Sequence, residues 1–439
     1  MPARLTVPPP HLYPEFVENR YIYPAAFFPT QHSHHRIHTY VAHALVLFNV
    51  YGLPLSSGVW LEYYFTSLHP SRSLLATSMI FGVQFVCVGL AVGPAAWAYH
   101  RWPERWWLQK FSSTLIVCGA WLGIFIAEHF WVLILCHGAL TGLSLGVLGT
   151  VSALVLSTHY KLDISVVSTQ CMAAGFAGAV AYTVLTWACL RIDAVKMACG
   201  ITLALMSGTL LIAMSLARPC IGQTLDASSS YGAVTMRSRY TSWISTSVLP
   251  TTTILLSPAI LLPPLVLPLI LTRHPSAYCA DISLYALFAM FGIAMLTSTL
   301  IVKIPPARLS PTTLFVASCL LAGTAIVLLI QVPRLEIMVP CAALYGVGLG
   351  GVSTLWINVL MSLMEEGASL GNAICLVMTI GGLTTGGRVV GAAVVLQSIK
   401  RGPEIILGSS AGTMVVAGLL VGACALVKHR KRKVKTGIK

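Results

Sequence analysis

The sequence predicts an all-α membrane protein with twelve transmembrane helices in two pseudo-symmetric six-helix bundles. Three observations predict it: 56% hydrophobic residues with only 9% charged, twelve apolar stretches of spanning length, and one long polar stretch that divides them six and six. A soluble domain carries about a quarter of its residues charged to coat its surface. This chain cannot make that coat, whereas a bilayer core asks only for runs of about 20 apolar residues.

The spans are predicted near 39–61, 74–99, 110–128, 131–157, 164–189, 195–216, 246–271, 284–302, 312–331, 337–363, 370–396 and 404–427. Residues 1–37 lack the apolar core of a signal peptide and read as a cytosolic tail. Its His32, His34, His35 and His38 have no acidic or Cys ligands beside them, so they read as a solvated run and no metal site is predicted. The first bundle takes 38–216, a central cytosolic loop 217–245, the second bundle 246–427, and a basic cytosolic tail 428–439. Pro250, Pro258, Pro263, Pro264 and Pro268 fall in the seventh span. Each proline removes a backbone donor and crowds the preceding turn, so that span is predicted kinked or broken.

The formal charge of +14 could suggest nucleic acid. The basic residues sit in loops between apolar runs, without the aromatic-interleaved stripe of a nucleic-acid groove, and that partner is excluded. With the amino terminus inside, cytosolic segments hold 19 of the 27 Lys and Arg residues and outer loops seven. This bias places both termini in the cytosol. The twelve cysteines are scattered, with no C-x-x-C pair, and read as small buried hydrophobes.

An internal echo supports duplication. Ala139-Leu140-Thr141-Gly142-Leu143-Ser144-Leu145-Gly146 matches Ala343-Leu344-Tyr345-Gly346-Val347-Gly348-Leu349-Gly350 at five of eight positions, each in the fourth span of its half. Gly142 and Gly146, like Gly346 and Gly350, are four apart and share a helix face, so backbones can approach closely there. They are expected to form packing and gating surfaces where the two halves meet.

Together with these features, Gly58-Val59-Trp60-Leu61-Glu62-Tyr63-Tyr64, Phe81-Gly82-Val83-Gln84, the His137–Gly146 stretch and Leu344-Tyr345-Gly346 resemble motifs of the major facilitator superfamily, in its fungal monocarboxylate-transporter-like branch. The resemblance covers about residues 38–427. It implies the major facilitator fold and transport of a small organic anion or fungal metabolite. The loop after span two departs from the superfamily's G-x-x-x-D-R-x-G-R: His100 stands at the Asp position and Pro103 at the second Gly. Arg101 and Arg105 would keep part of that loop's role as a cytosolic latch. Span eight lacks the Asp and Arg of animal monocarboxylate carriers.

Arg388 is the one charge well inside a span. Burying it is costly unless it faces a wet cavity or a partner; it could anchor a carboxylate or snorkel to the outer interface. Asn358, His137, Gln84, Gln170 and Asn49 are the other polar groups at depth, able to bond a substrate or to glue helices. A proton relay would have to use His137, Glu62, Glu128 or His129, which leaves proton coupling open. Metalloprotease, P-loop and nucleophile-elbow motifs are absent, so neither an enzyme nor a cofactor is predicted. The expectation is a monomeric secondary-active or facilitative transporter in the plasma membrane or an internal membrane such as the vacuolar one. The partners are a small-molecule substrate and the bilayer. The alternative is a non-transporting, transporter-like sensor or envelope component.

Overall fold

The computed structural model describes residues 33–127, 129–160, 164–219, 247–271, 279–304, 309–331, 335–363 and 370–436. His32, Glu128 and most of the central loop lie outside them. Among the described residues there is no strand, and 12 helices are long and apolar enough to cross a membrane. They are α1 (His35–Leu68), α2 (Leu74–Arg101), α3 (Pro103–Phe125), α4 (Phe130–Ser157), α5 (Val166–Leu190), α6 (Val195–Leu216), α7 (Leu249–Leu271), α8 (Asp281–Ile301), α9 (Pro311–Ile330), α10 (Ile337–Leu363), α11 (Ala373–Ser398) and α12 (Gly402–Lys428). The start of α1 and the end of α12 share one face, the terminal face; the other is the opposite face.

The two halves pack alike. In the first, α1 lies on α5 and α6, α2 on α4, and α3 on α4 and α6; in the second, α7 lies on α11 and α12, α8 on α10, and α9 on α10 and α12. Each of these five pairs has its counterpart six helices later, as two related units give. Between the halves, α2 meets α11 and α5 meets α8, which are again counterparts.

The paired glycines explain the closeness within each half. A Cβ on Gly142 or Gly146 would stand 2.4 or 2.5 Å from the Gln84 or Val88 carbonyl oxygen of α2. On Gly346 or Gly350 it would stand 2.3 or 2.5 Å from the Met290 or Ala294 carbonyl oxygen of α8. These glycines therefore pack helices inside each half, not across the seam where the sequence reading put them. Four-residue spacing identifies a close-packing face without saying which neighbour it meets. The seam uses other glycines: Gly89 against Gly382 and Gly82 against Gly386.

The seventh span, expected to be kinked or broken, is not broken. It runs as one helix, Leu249–Leu271, with Pro258, Pro263, Pro264 and Pro268 inside it. A proline leaves the carbonyl four residues earlier without its donor, so Pro263 and Pro264 orphan Ala259 and Ile260. The Tyr345 hydroxyl of α10 donates to those two carbonyls, at 3.4 Å to Ala259 and 2.8 Å to Ile260. A donor borrowed from a neighbouring helix lets a proline-rich helix continue inside a bilayer.

Hydroxyls at depth are mostly bonded within their own helices. Thr114, Thr150, Ser298 and Ser318 each donate to the carbonyl four residues back. The outward surface is apolar: Leu115, Leu122, Leu211, Ile212 and Leu419 are more than half exposed. In a water-soluble protein such residues would be core; here they face acyl chains. Trp97, Trp102 and Trp107 are exposed near the terminal face and Trp131 near the opposite one, where interfacial aromatic belts form.

Candidate functional site

A cavity of about 240 Å³ lies between the halves. Tyr51, Pro54, Phe85 and Phe176 line it from the first half; Ser257, Phe315, Ser353, Trp356 and Gly381 are among those lining it from the second. The residues contributed by α7, α10 and α12 come from the parts of those helices nearer the terminal face, and those of α2 and α11 from nearer the middle. The cavity therefore runs from the centre toward the terminal face.

The opposite face is shut by contacts between halves. Gly58 of α1 lies so close to α7 that a Cβ would stand 2.4 Å from the Pro264 carbonyl oxygen. At the level of the cavity, the α2–α11 seam carries a hydrogen bond from the Thr379 hydroxyl to the Gly89 carbonyl at 3.1 Å. At the rim, Arg191 after α5 and Asp281 opening α8 form an ion pair at 3.4 Å, both side chains 46% exposed. Toward the terminal face the halves touch between α5 and α10. There Asn358 Nδ2 donates to Thr169 Oγ1 at 3.3 Å, and Thr169 Oγ1 donates to the Thr354 carbonyl at 3.1 Å.

Among the described residues lining the cavity there is no Lys, Arg, His, Asp or Glu. Thr252 and Thr253 spend their hydroxyl hydrogens on the Leu249 carbonyl, at 3.0 and 2.8 Å. Ser257 donates to the Gly381 carbonyl of α11 at 3.0 Å and lies 3.0 Å from Thr385 Oγ1. Three lining groups make no hydrogen bond with described residues: Tyr51 Oη, Ser353 Oγ and Trp356 Nε1.

None of the four residues expected to bind substrate lines this cavity. Arg388 is part-buried and donates to Thr413 Oγ1 of α12 at 3.2 Å, on the flank of its helix. Gln84 is fully buried; its Oε1 accepts from the Ser57 hydroxyl at 3.4 Å, and its Nε2 has no partner among the described residues. His137 is 1% exposed and bonds the Tyr64 hydroxyl through Nδ1 at 3.0 Å. The rings of Trp60, Phe81 and Trp121 surround it, with centroids 5.8, 5.2 and 5.1 Å away. Both Tyr64 and His137 lie in π-turns, Tyr64–Leu68 and Ile134–Leu140. Asn358 joins the halves at α5. Gln84 and His137 share the α1–α2–α4 corner of the first half; Arg388 and Asn358 are elsewhere. Arg101 and Arg105 are exposed at the end of α2 and in the turn after it. They make no ion pair or hydrogen bond with described residues, so the latch implied by the resemblance has no partner there.

Sequence reasoning missed Tyr51, Ser353 and Trp356. Tyr51 lies two residues after Asn49 and Trp356 two before Asn358, and two helical steps turn the side chain by about 200°. Asn49 is held inside the first half, its Nδ2 donating to Thr209 Oγ1 at 2.9 Å and its Oδ1 accepting from Tyr182 at 2.5 Å. With the amides directed at neighbouring helices, the aromatic residues two positions away reach the cavity. The available signal was the face opposite each buried amide.

No protein-family model and no curated protein sequence matches the chain. Solved structures do. A nucleoside transporter, NupG, is similar at 14% identity and a TM-score of 0.64, over 89% of this chain and 99% of that one. A peptide transporter, POT, solved in complex with sulfate, is similar at 13% identity and a TM-score of 0.66, over 93% and 97%. A D-xylose-proton symporter is similar at 11% identity and a TM-score of 0.68, over 88% and 96%. The chain has the major facilitator fold. At these identities the likeness speaks for the fold alone, and within that fold nothing singles out the monocarboxylate branch.

Proposed function

We propose that the chain carries a small solute across a membrane by alternating access, its halves rocking about the central cavity, with the terminal face cytosolic. The carrying observation is a cavity between matched halves, leading toward one face and shut at the other by contacts that all cross the seam. Those polar contacts are individually weak. An exposed ion pair such as Arg191–Asp281 contributes about 0.2–1 kcal/mol, and a hydrogen bond between membrane helices about 0.6 kcal/mol. Such contacts can be exchanged for others as the halves tilt. The Lys and Arg bias supports the orientation, and the similar structures, which are nucleoside, peptide and sugar transporters, support the transport reading. A monocarboxylate would need a counter-charge in the cavity, and Arg388 is bonded to α12 instead.

The test is two-sided labelling. Ser353→Cys, reconstituted in liposomes, is treated with a charged, impermeant thiol reagent from either face. None of the described native cysteines lines the cavity, so the parent chain sets the baseline. Reaction from both faces is expected; reaction from one face only, under all conditions, contradicts transport.

A further inference from the structure

We infer that the cavity takes an uncharged, mostly apolar small molecule with one oxygen-bearing end, which Tyr51, Ser353 and Trp356 hold. The inference builds on the transport reading above by naming the class of solute.

Charge argues first. The buried or part-buried cationic and imidazole groups within the spans are already engaged away from the cavity. Lys110 lies with Nζ 5.5 Å from the centre of the Trp106 ring. His43 is 3.0 Å from Ser152 Oγ, His137 is 3.0 Å from Tyr64 Oη, and Arg388 is 3.2 Å from Thr413 Oγ1. A carboxylate or ammonium entering the cavity would lose water and meet no opposite charge among the described lining residues. An uncharged body instead meets Phe85, Phe176, Leu256, Phe315, Leu349 and Val352, which suits burial of apolar surface.

The free polar groups then set the solute's other end. Ser353 and Trp356 are three residues apart on α10 and share a face. Tyr51 comes from the other half. An indole N–H can only donate, whereas the two hydroxyls both donate and accept. A hydroxyl matches all three, accepting from Trp356 and from one hydroxyl and donating to the other; a carbonyl oxygen matches two, and a group that only donates leaves Trp356 unmatched. A solute held by Tyr51 on one side and Ser353 and Trp356 on the other touches both halves, so its binding differs between states in which the halves are tilted differently.

The experiment uses the full chain in nanodiscs, with empty nanodiscs as background, and three tritiated probes on one ring system: 2-naphthalenemethanol, naphthalene and 2-naphthoate. Saturable binding is expected for the alcohol, about three- to tenfold weaker for naphthalene, and at least ~100-fold weaker for the naphthoate. The combined Tyr51→Phe, Ser353→Ala, Trp356→Phe variant removes all three polar atoms and keeps aromatic rings at positions 51 and 356. It should weaken the alcohol at least ~tenfold and leave naphthalene unchanged. Ser353→Trp, which fills the cavity, should abolish binding of both. Naphthoate binding as tight as the alcohol's, no saturable alcohol binding, or an unaffected combined variant would each overturn the inference. Alcohol binding alongside one-sided labelling of Ser353→Cys would leave the solute class standing and remove transport. Two-sided labelling with naphthoate preferred would do the reverse.

Discussion

The two halves share a packing plan but not an interior. The first half buries imidazoles and an amide against hydroxyls: His137 with Tyr64, His43 with Ser152, Asn49 with Thr209 and Tyr182. The second half is tied mainly by hydroxyls: Tyr345 on the α7 carbonyls, Thr354 on Ser298, Ser257 on Gly381. Most of the cavity wall belongs to this second half. The difference teaches that the deepest polar groups hold helices together, while the cavity wall is drawn mostly from the half tied by hydroxyls.

The largest expected effect tests what the halves share. Gly142→Leu and Gly346→Leu should each destabilise by about 3 kcal/mol or more, because each Cβ meets a backbone carbonyl that cannot yield. Thermal unfolding of both variants measures it, and a large loss in one alone would break the symmetry of the packing. Next, His137→Leu removes the partner of the buried Tyr64 hydroxyl and should cost about 1–3 kcal/mol with alcohol affinity unchanged. Loss of affinity at unchanged stability would make His137 a solute ligand. Tyr345→Phe strips two proline-orphaned carbonyls of their donor and should cost about 0.6–1.7 kcal/mol, read as a lower unfolding midpoint. A neutral result would mean that α7 needs no borrowed donor. Smallest, Arg388→Gln gives up one part-buried bond to Thr413 and should change stability by less than about 1 kcal/mol with binding unchanged.

The helices were legible in the sequence because the bilayer demands continuous apolar length, and the echo at Gly142 and Gly346 announced the duplication. That the proline-rich seventh span stays unbroken was not legible, because the donor to its freed carbonyls, Tyr345, lies 81 to 82 residues from Pro264 and Pro263. The site was less legible still. Rarity drew attention to Arg388, His137, Gln84 and Asn358, yet rare polar groups at depth are the ones a membrane helix must pair off within the protein. Ser353 and Trp356 look ordinary in sequence; only the seam between the halves shows them unpaired.

Ile192 and Tyr285, 68% and 60% exposed beside the Arg191–Asp281 pair, offer spin-label sites on the two halves that leave the pair intact. Two distance populations, whose balance 2-naphthalenemethanol shifts, are the result expected of halves that rock about an occupied cavity. A single distance that stays the same with and without that probe would contradict it.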